Sequence, residues 1–109
     1  MYAMTRMVDE LSDATLDRLV AECEGDESPK HGGIGLRYSS DWLVAGPIIE
    51  RERIAIWWAK WDDIDSALPV WGASRFNEKE YYGATPLIAA MRCYVASKLG
   101  DEIEIVKED

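Results

Sequence analysis

The segment from Thr85 to Gly100, TPLIAAMRCYVASKLG, constrains the fold more than any other part of the chain. Threonine followed by proline is typical of a helix start, because the hydroxyl caps the first turn and proline needs no hydrogen-bonded amide there. Glycine at the other end favours a helix stop. The residues between are apolar on nearly every side. Such a helix is stable only when other elements surround it, so the sequence predicts a central helix over 86–99.

Two apolar runs, 54–60 (IAIWWAK) and 70–76 (VWGASRF), predict the strands that pack with this helix. Both are rich in the β-branched and aromatic residues that favour strands. The acidic connection over 61–66 separates them, so we expect an antiparallel hairpin with a long loop. Because both faces of the first run are apolar, we expect it to be covered on both faces or to lie centrally in its sheet.

A first helix is predicted between Ser12 and Gly25, where apolar residues recur at helical spacing between a capping serine and a helix-ending glycine. The residues that follow, 26–35, are polar and rich in glycine. This composition is typical of a mobile loop.

The region between that loop and the hairpin predicts less regular structure. Residues 36–38 are expected to add a short edge strand. Because Gly46 and Pro47 interrupt the next apolar run, we expect an irregular turn over 41–45 and a short helix over 47–53, with proline near its start.

The remaining segments are predicted as loop or frayed ends. Residues 77–84 hold polar groups and a glycine and are expected to form a loop. The termini, 1–8 and 101–109, are expected to be frayed, although the second alternates weakly and could add an edge strand.

These elements predict an α+β fold. We expect one domain over 1–109, in which a small antiparallel β-sheet, built on the hairpin 54–60/70–76, packs against about three α-helices. At 109 residues the chain is long enough for one core without disulfide or metal staples.

Charge and cysteine usage limit the partners and the compartment. The formal net charge of −9 at pH 7 repels phosphate backbones and anionic membrane surfaces, so we expect no direct nucleic-acid or membrane binding. This negative charge suits a basic protein partner. Cys23 and Cys93 form no CxxC motif and are predicted to be buried free thiols, which favours a reducing, cytoplasmic compartment.

No arrangement of residues predicts catalysis. His31 is the sole histidine, and no GxSxG elbow accompanies the glycines beside it. Asp62, Asp63 and Asp65 lack the glycine and glutamate that complete an EF-hand loop. We therefore expect no catalytic residue, no metal and no cofactor.

Aromatic residues are unusually frequent in and around the predicted hairpin. Six of them could form one contact surface: Trp57, Trp58, Trp61, Trp71, Tyr81 and Tyr82. Such rings can stack on sugars, bases or proline-rich peptides. More often they belong to a core or to a dimer contact. Both interpretations stay open from the sequence.

Arg92 is the one arginine in the central helix. A guanidinium among apolar residues must reach solvent or a carboxylate. We expect it to reach Glu50 or Asp41.

Three blocks resemble the NinX-like family of phage and prophage proteins: 11–25 (LSDATLDRLVAECEG), 38–54 (YSSDWLVAGPIIERERI) and 85–100. The most specific parts of the resemblance are the segment GPIIE and the helix PLIAAM. What the resemblance implies is an origin among phage accessory genes, and it brings no catalytic residues. It directs attention to one candidate cluster: Asp41, Trp42, Gly46, Pro47, Glu50 and Arg92.

We therefore expect a non-enzymatic phage accessory protein that acts through protein–protein contacts, with a host or phage partner or as a homodimer. One alternative is a small-ligand or enzyme site in a cleft near Trp42, Glu50 and Arg92. The other is an acidic phosphate mimic that binds a basic nucleic-acid-binding protein.

Overall fold

The computed structural model describes residues 2–11, 13–26, 35–59, 70–76 and 78–107. Within them it contains three α-helices, a single-turn 3-10 helix and five β-strands. In chain order these are β1 (Tyr2–Met7), the 3-10 helix (Val8–Glu10), α1 (Asp13–Glu24), α2 (Trp42–Glu52), β2 (Ile54–Ala59), β3 (Val70–Arg75), β4 (Tyr81–Gly83), α3 (Pro86–Leu99) and β5 (Glu102–Lys107). The predicted α+β class, with helices packed on a small antiparallel sheet, is confirmed.

Helix α3 is the centre of the fold, as its sequence predicts. The Thr85 hydroxyl accepts a hydrogen bond from the Ile88 amide at 3.1 Å, and Gly100 ends the helix with a positive φ. The helix contacts α1, α2, the 3-10 helix and four of the five strands. Seven of its residues are buried: Leu87, Ala89, Ala90, Met91, Cys93, Tyr94 and Val95. Burial on so many sides explains why the sequence shows no polar stripe.

Strands β2, β3 and β4 form an antiparallel sheet in that spatial order. The predicted hairpin is confirmed, with Ile54 opposite Arg75 and Trp58 opposite Trp71. The prediction that β2 is central or covered on both faces is wrong. β3 is the central strand, because β4 pairs along its other edge.

β4 lies within 77–84, which the sequence predicts as a loop. Its three residues are too few for an apolar period to be visible, and they pair with β3 because α3 packs on them from one face. The loop prediction is therefore wrong for 81–83.

The two ends of the described chain meet in a second, two-stranded sheet. β1 pairs antiparallel with β5 over six residue pairs, from Tyr2 opposite Lys107 to Met7 opposite Glu102. The expectation of a frayed N-terminus is wrong for 2–7. For 101–109 the sequence left a frayed end or an edge strand open, and the edge strand is confirmed for β5. Neither strand is stable alone, so a pairing across nearly the whole chain is invisible to local patterns.

Helix α2 corrects the prediction of a turn over 41–45 and a helix over 47–53. The Asp41 carboxylate accepts a hydrogen bond from the Leu43 amide at 2.9 Å, which starts the helix before the proline. Pro47 lies inside the helix and removes only the bond to the Leu43 carbonyl. The buried residues Ala45 and Ile48 hold this helix on the core.

The predicted edge strand over 36–38 is also wrong. The amides of Ser40 and Asp41 both donate to the Arg37 carbonyl, at 3.1 and 2.8 Å, which closes a turn that leads into α2. The Ser39 amide donates to the Asp17 carboxylate on α1 at 2.8 Å. These hydrogen bonds take the place of those that an edge strand over 36–38 would form with a neighbouring strand. The predicted mobile loop 26–35 lies almost wholly outside the described residues, as does the cap Ser12.

Met91→Asp should unfold the protein. The side chain is fully buried in α3, and an unpaired carboxylate there should cost more than about 4 kcal/mol. Thermal unfolding followed by circular dichroism measures the effect. Leu99→Asp is the matched control, because Leu99 is exposed at the end of the same helix. Equal melting temperatures for the two variants would contradict the central position of α3.

Candidate functional site on the second helix

The outer face of α2 carries most of the predicted cluster. Successive residues of a helix are rotated by about 100°, so residues 42, 43, 46, 47 and 50 lie on one side. The opposite side carries the buried residues Ala45 and Ile48. The fold thus brings four members of the cluster, Trp42, Gly46, Pro47 and Glu50, onto one side of the helix. Together with Leu43 they form what we name the α2 surface.

The α2 surface is apolar and open to solvent. The side chain of Trp42 is 55% exposed and that of Leu43 is 82% exposed. Pro47 is exposed one turn further on. Single exposed apolar residues are ordinary in proteins, but adjacent ones on a helix form a contact patch.

Two residues of this surface, Gly46 and Pro47, are unfavourable in a helix, and the packing of the described residues does not require glycine at position 46. A Cβ built on Gly46 meets no atom within 4 Å, so no neighbour prevents a larger residue there. Glycine costs about 1 kcal/mol against alanine in a helix interior, and proline costs about 3 kcal/mol. Sequence reasoning interprets Gly46-Pro47 as an interruption of the helix, whereas the structure places both residues on its outer face.

The charged members of the cluster have different positions. Asp41 caps α2, so its carboxylate has a structural use at the helix N-terminus. Glu50 is exposed on the α2 surface and forms no ion pair with another described residue. It therefore leaves a negative charge available beside Leu43 and Pro47.

Arg92 does not belong with these residues. Its Nε donates to the Leu11 carbonyl at 2.8 Å, and its NH1 donates to the Tyr82 carbonyl at 2.7 Å. The expected pairing with Glu50 or Asp41 is wrong. Backbone carbonyls satisfy the guanidinium where the 3-10 helix and β4 meet α3, and burial lowers its pKa.

The position of Arg92 on α3 explains the separation. α2 meets α3 at Tyr94, where Arg51 donates to the phenol oxygen at 3.3 Å. Arg92 precedes Tyr94 by two residues and points about 200° away around the helix. Among the described residues, Arg92 therefore lies apart from the members of the candidate cluster on α2.

A network of ion pairs that sequence reasoning missed holds α2 in place. Arg51 donates to both oxygens of Glu24 on α1, at 3.2 and 2.6 Å. The Tyr94 hydroxyl donates to the same carboxylate. These hydrogen bonds, that from Arg51 first, lower the pKa of Glu24, and burial raises the pKa of Tyr94. The network ties the last turns of α1 and α2 to the body of α3.

Glu52 extends this network to the sheet. Its carboxylate lies 2.9 Å from Arg51 Nε, 3.5 Å from Lys98 Nζ and 3.5 Å from an Arg75 nitrogen. The hydrogen bond from Arg51 lowers the pKa of Glu52. The sequence shows charged residues in the last turn of each helix. It does not show which of them form ion pairs, because the partners are far apart in the chain.

The predicted aromatic surface is divided between the two faces of the sheet. Trp57 and Tyr82 lie on the face away from α3, with ring centroids 6.5 Å apart, and Gly72 lies between them. Trp58 and Trp71 lie on the other face, 5.2 Å apart, and both pairs are edge-on. This alternation follows from the two-residue period of a strand.

The other aromatic residues of that prediction have separate positions. Tyr81 is buried, and its hydroxyl donates to the Asp101 carboxylate. Trp61 lies outside the described residues. The sequence thus predicts aromatic pairs correctly but not their division into two surfaces, which depends on strand register.

Two neighbouring grooves lie away from the α2 surface. One, of about 460 Å³, is formed by α1, the 37–40 turn and the start of α3; the other, of about 320 Å³, continues along α1. They share Ala14, Asp17 and Arg37. The Asp17 carboxylate already accepts a hydrogen bond from the Ser39 amide, so this acidic side chain of the two grooves has a structural role.

The described part of the chain contains no group of three or more histidine, cysteine or acidic residues placed to hold a metal ion. His31 and the aspartates at 62, 63 and 65 lie outside it. Cys93 is buried and Cys23 half-buried, both as free thiols. Burial raises the pKa of Cys93 to about 11 and also raises that of Cys23, which disfavours the reactive thiolate.

No helix among the described residues has the length and apolar character that a membrane crossing requires.

The fold and these surfaces define a small α+β protein with exposed apolar contacts. Residues 7–98 match the family model described as Bacteriophage P22, NinX. The chain therefore belongs to the NinX family of phage proteins, which confirms the resemblance in the sequence and supports a phage accessory protein. No curated protein matches the chain significantly.

Two glycine substitutions should have opposite effects on stability. A Cβ at Gly72 would lie 2.5 Å from Cε2 of Trp57, so Gly72→Ala should displace the indole and cost about 1–3 kcal/mol. Gly46→Ala meets open space in a helix and should stabilise by up to about 1 kcal/mol. Urea unfolding of both variants measures this difference, and equal effects would refute the two placements.

The ion-pair network should make stability depend on pH. Glu24 and Glu52 have folded-state pKa values below their ordinary value of 4.5. Their contribution is therefore present above about pH 4.5 and is lost as the pH falls through the lower folded-state pKa values. Unfolding free energies measured between about pH 7 and pH 3 should show this acid loss.

Arg51→Met should weaken that acid dependence. Because Arg51 is half exposed, its removal should cost only about 1 kcal/mol at neutral pH, and less in acid where the carboxylates are protonated. Arg18→Met is the control, since Arg18 forms no ion pair with another described residue. A pH profile of Arg51→Met parallel to that of the parent would disprove the assignment.

Proposed function

We propose that this NinX-family protein is a non-enzymatic accessory protein that binds another protein through the α2 surface in the host cytoplasm. The observation that carries the proposal is the exposure of Trp42 and Leu43 on consecutive positions of a helix whose other side is buried. Tryptophan is enriched at the centres of protein interfaces, because its ring contributes a large contact area.

The charge of the chain supports a partner with a basic rim. The formal net charge is −9, and Glu50 adds to the α2 surface a carboxylate that forms no ion pair within the described ranges. A lysine or arginine near an apolar socket would match both features. Charge of this kind raises the association rate more than the affinity, so binding should weaken as salt is added.

The geometry of α2 suits a contact of this kind. Pro47 has no amide hydrogen, so the Leu43 carbonyl has no helical donor four residues later. Gly46 leaves the backbone beside it uncovered. A partner side chain can therefore approach the helix backbone as well as Trp42 and Leu43.

A photo-crosslinking residue tests the proposal in bacteria that carry the phage. Placed at Leu43, it should give a covalent adduct with a protein that is absent when the same residue replaces Leu99. Leu99 is exposed on α3 and serves as the matched site. Adducts at both positions alike, or at neither, would show that the α2 surface has no specific partner.

A further inference from the structure

Strand β2 presents an open edge on the described part of the sheet. The spatial order is β2-β3-β4, so one edge of β2 pairs with β3 and the other pairs with no described strand. Alternate amides and carbonyls along that edge point away from β3. Such an edge is a template for another strand.

The sequence of β2 contains none of the usual protection against edge pairing. Its six residues, IAIWWA, include no proline and no charge, although edge strands commonly carry one or both. Ala55 is exposed on the outer face, and Trp58 is 55% exposed on the face that carries the core. Trp58 is thus open to solvent although Ile54, on the same face of this strand, is buried.

We propose that β2 pairs antiparallel with β2 of a second copy, which joins the two sheets into one of six strands. This inference goes beyond the proposed function, because it uses a different surface and a different partner. A second copy fits because closed two-fold pairing is the commonest form of self-association, and here it buries two open edges at once.

Side-chain parity restricts how two copies can pair. Residues opposite each other in an antiparallel pair point to the same face of the sheet, so their positions in β2 must differ by an even number. A two-fold axis perpendicular to the sheet therefore places one residue opposite its own copy, and it cannot lie midway between two consecutive residues. Helix α3 then lies on the same face of the joined sheet in both copies.

The sizes of the side chains favour an axis at Ile56. Ala55 then lies opposite Trp57 of the second copy, and Ile54 lies opposite Trp58 of the second copy. Each tryptophan is placed beside a smaller residue, and aromatic–aliphatic pairs of this kind stabilise antiparallel strands. An axis at Trp57 would instead place two indoles opposite each other and leave Ala55 opposite Ala59.

Charge does not oppose this contact at short range. All six residues of β2 are neutral, although the chain carries a formal −9. The repulsion between two copies acts over distances that salt screens, with a Debye length of about 8 Å at physiological ionic strength. The dimer should therefore tighten as salt is added, the opposite of the response expected for the α2 surface.

Sedimentation equilibrium of the full chain tests the proposal. The parent protein should show twice the monomer mass of 12.3 kDa. Ala55→Lys places a charge at the open edge, close to the axis, and should weaken dimerisation at least tenfold. Ala55→Thr keeps a neutral side chain that favours strands and should dimerise like the parent. Ala55 is exposed, so both variants should fold, which circular dichroism checks.

A half-labelled sample tests the register by isotope-filtered NMR. It should show contacts between the Ala55 methyl of one copy and the Trp57 indole of the other. A monomer at every concentration, a dimer unaffected by Ala55→Lys, or a dimer without these contacts would overturn the inference. Leu43→Lys should leave the dimer intact. The test of dimerisation through β2 is therefore independent of the test of partner binding through the α2 surface.

Discussion

Burial of α3 on nearly every side is the constraint on which the rest of the structure depends. The helix contacts both sheets, the other two α-helices and the 3-10 helix, and seven of its residues are buried. A helix without a polar stripe cannot lie on a surface, so the remaining elements have to be arranged around it. The two-stranded and three-stranded sheets and the outer helices are the result.

The polar network around Tyr94 complements this apolar packing. Glu24, Arg51 and Glu52 join the last turns of α1 and α2 to the ring and hydroxyl of Tyr94. Arg51 and Lys98 also lie near the faces of that ring, each 5.8 Å from its centroid. Cations near helix C-termini interact favourably with the helix dipoles. The network adds to the burial of Ala45 and Ile48, which decides which face of α2 is exposed.

Several ionisable groups of the described residues are engaged or buried in that arrangement. The carboxylates with lowered pKa values are engaged by arginine or lysine, and the free thiols are buried or half-buried with raised pKa values. The exposed apolar side chains include Trp42 and Leu43 on α2, and Trp58 at the edge of β2. These exposed residues are the ones on which the proposed contact surfaces rest.

Local chemistry in the sequence determined α1, α3, the β2–β3 hairpin and the α+β class, because caps, helix-ending glycines and apolar periods act within a few residues. The GPIIE and PLIAAM segments also indicated the family. Only the tertiary structure decided that Pro47 lies inside α2, that Arg92 binds two backbone carbonyls, and that β1 pairs with β5 across nearly the whole chain. The candidate surface was predictable only in part. The sequence singled out Trp42, Gly46, Pro47 and Glu50, but their exposure depends on which face of α2 the core covers. Each of these outcomes depends on contacts between residues far apart in sequence, whose energies no local pattern contains.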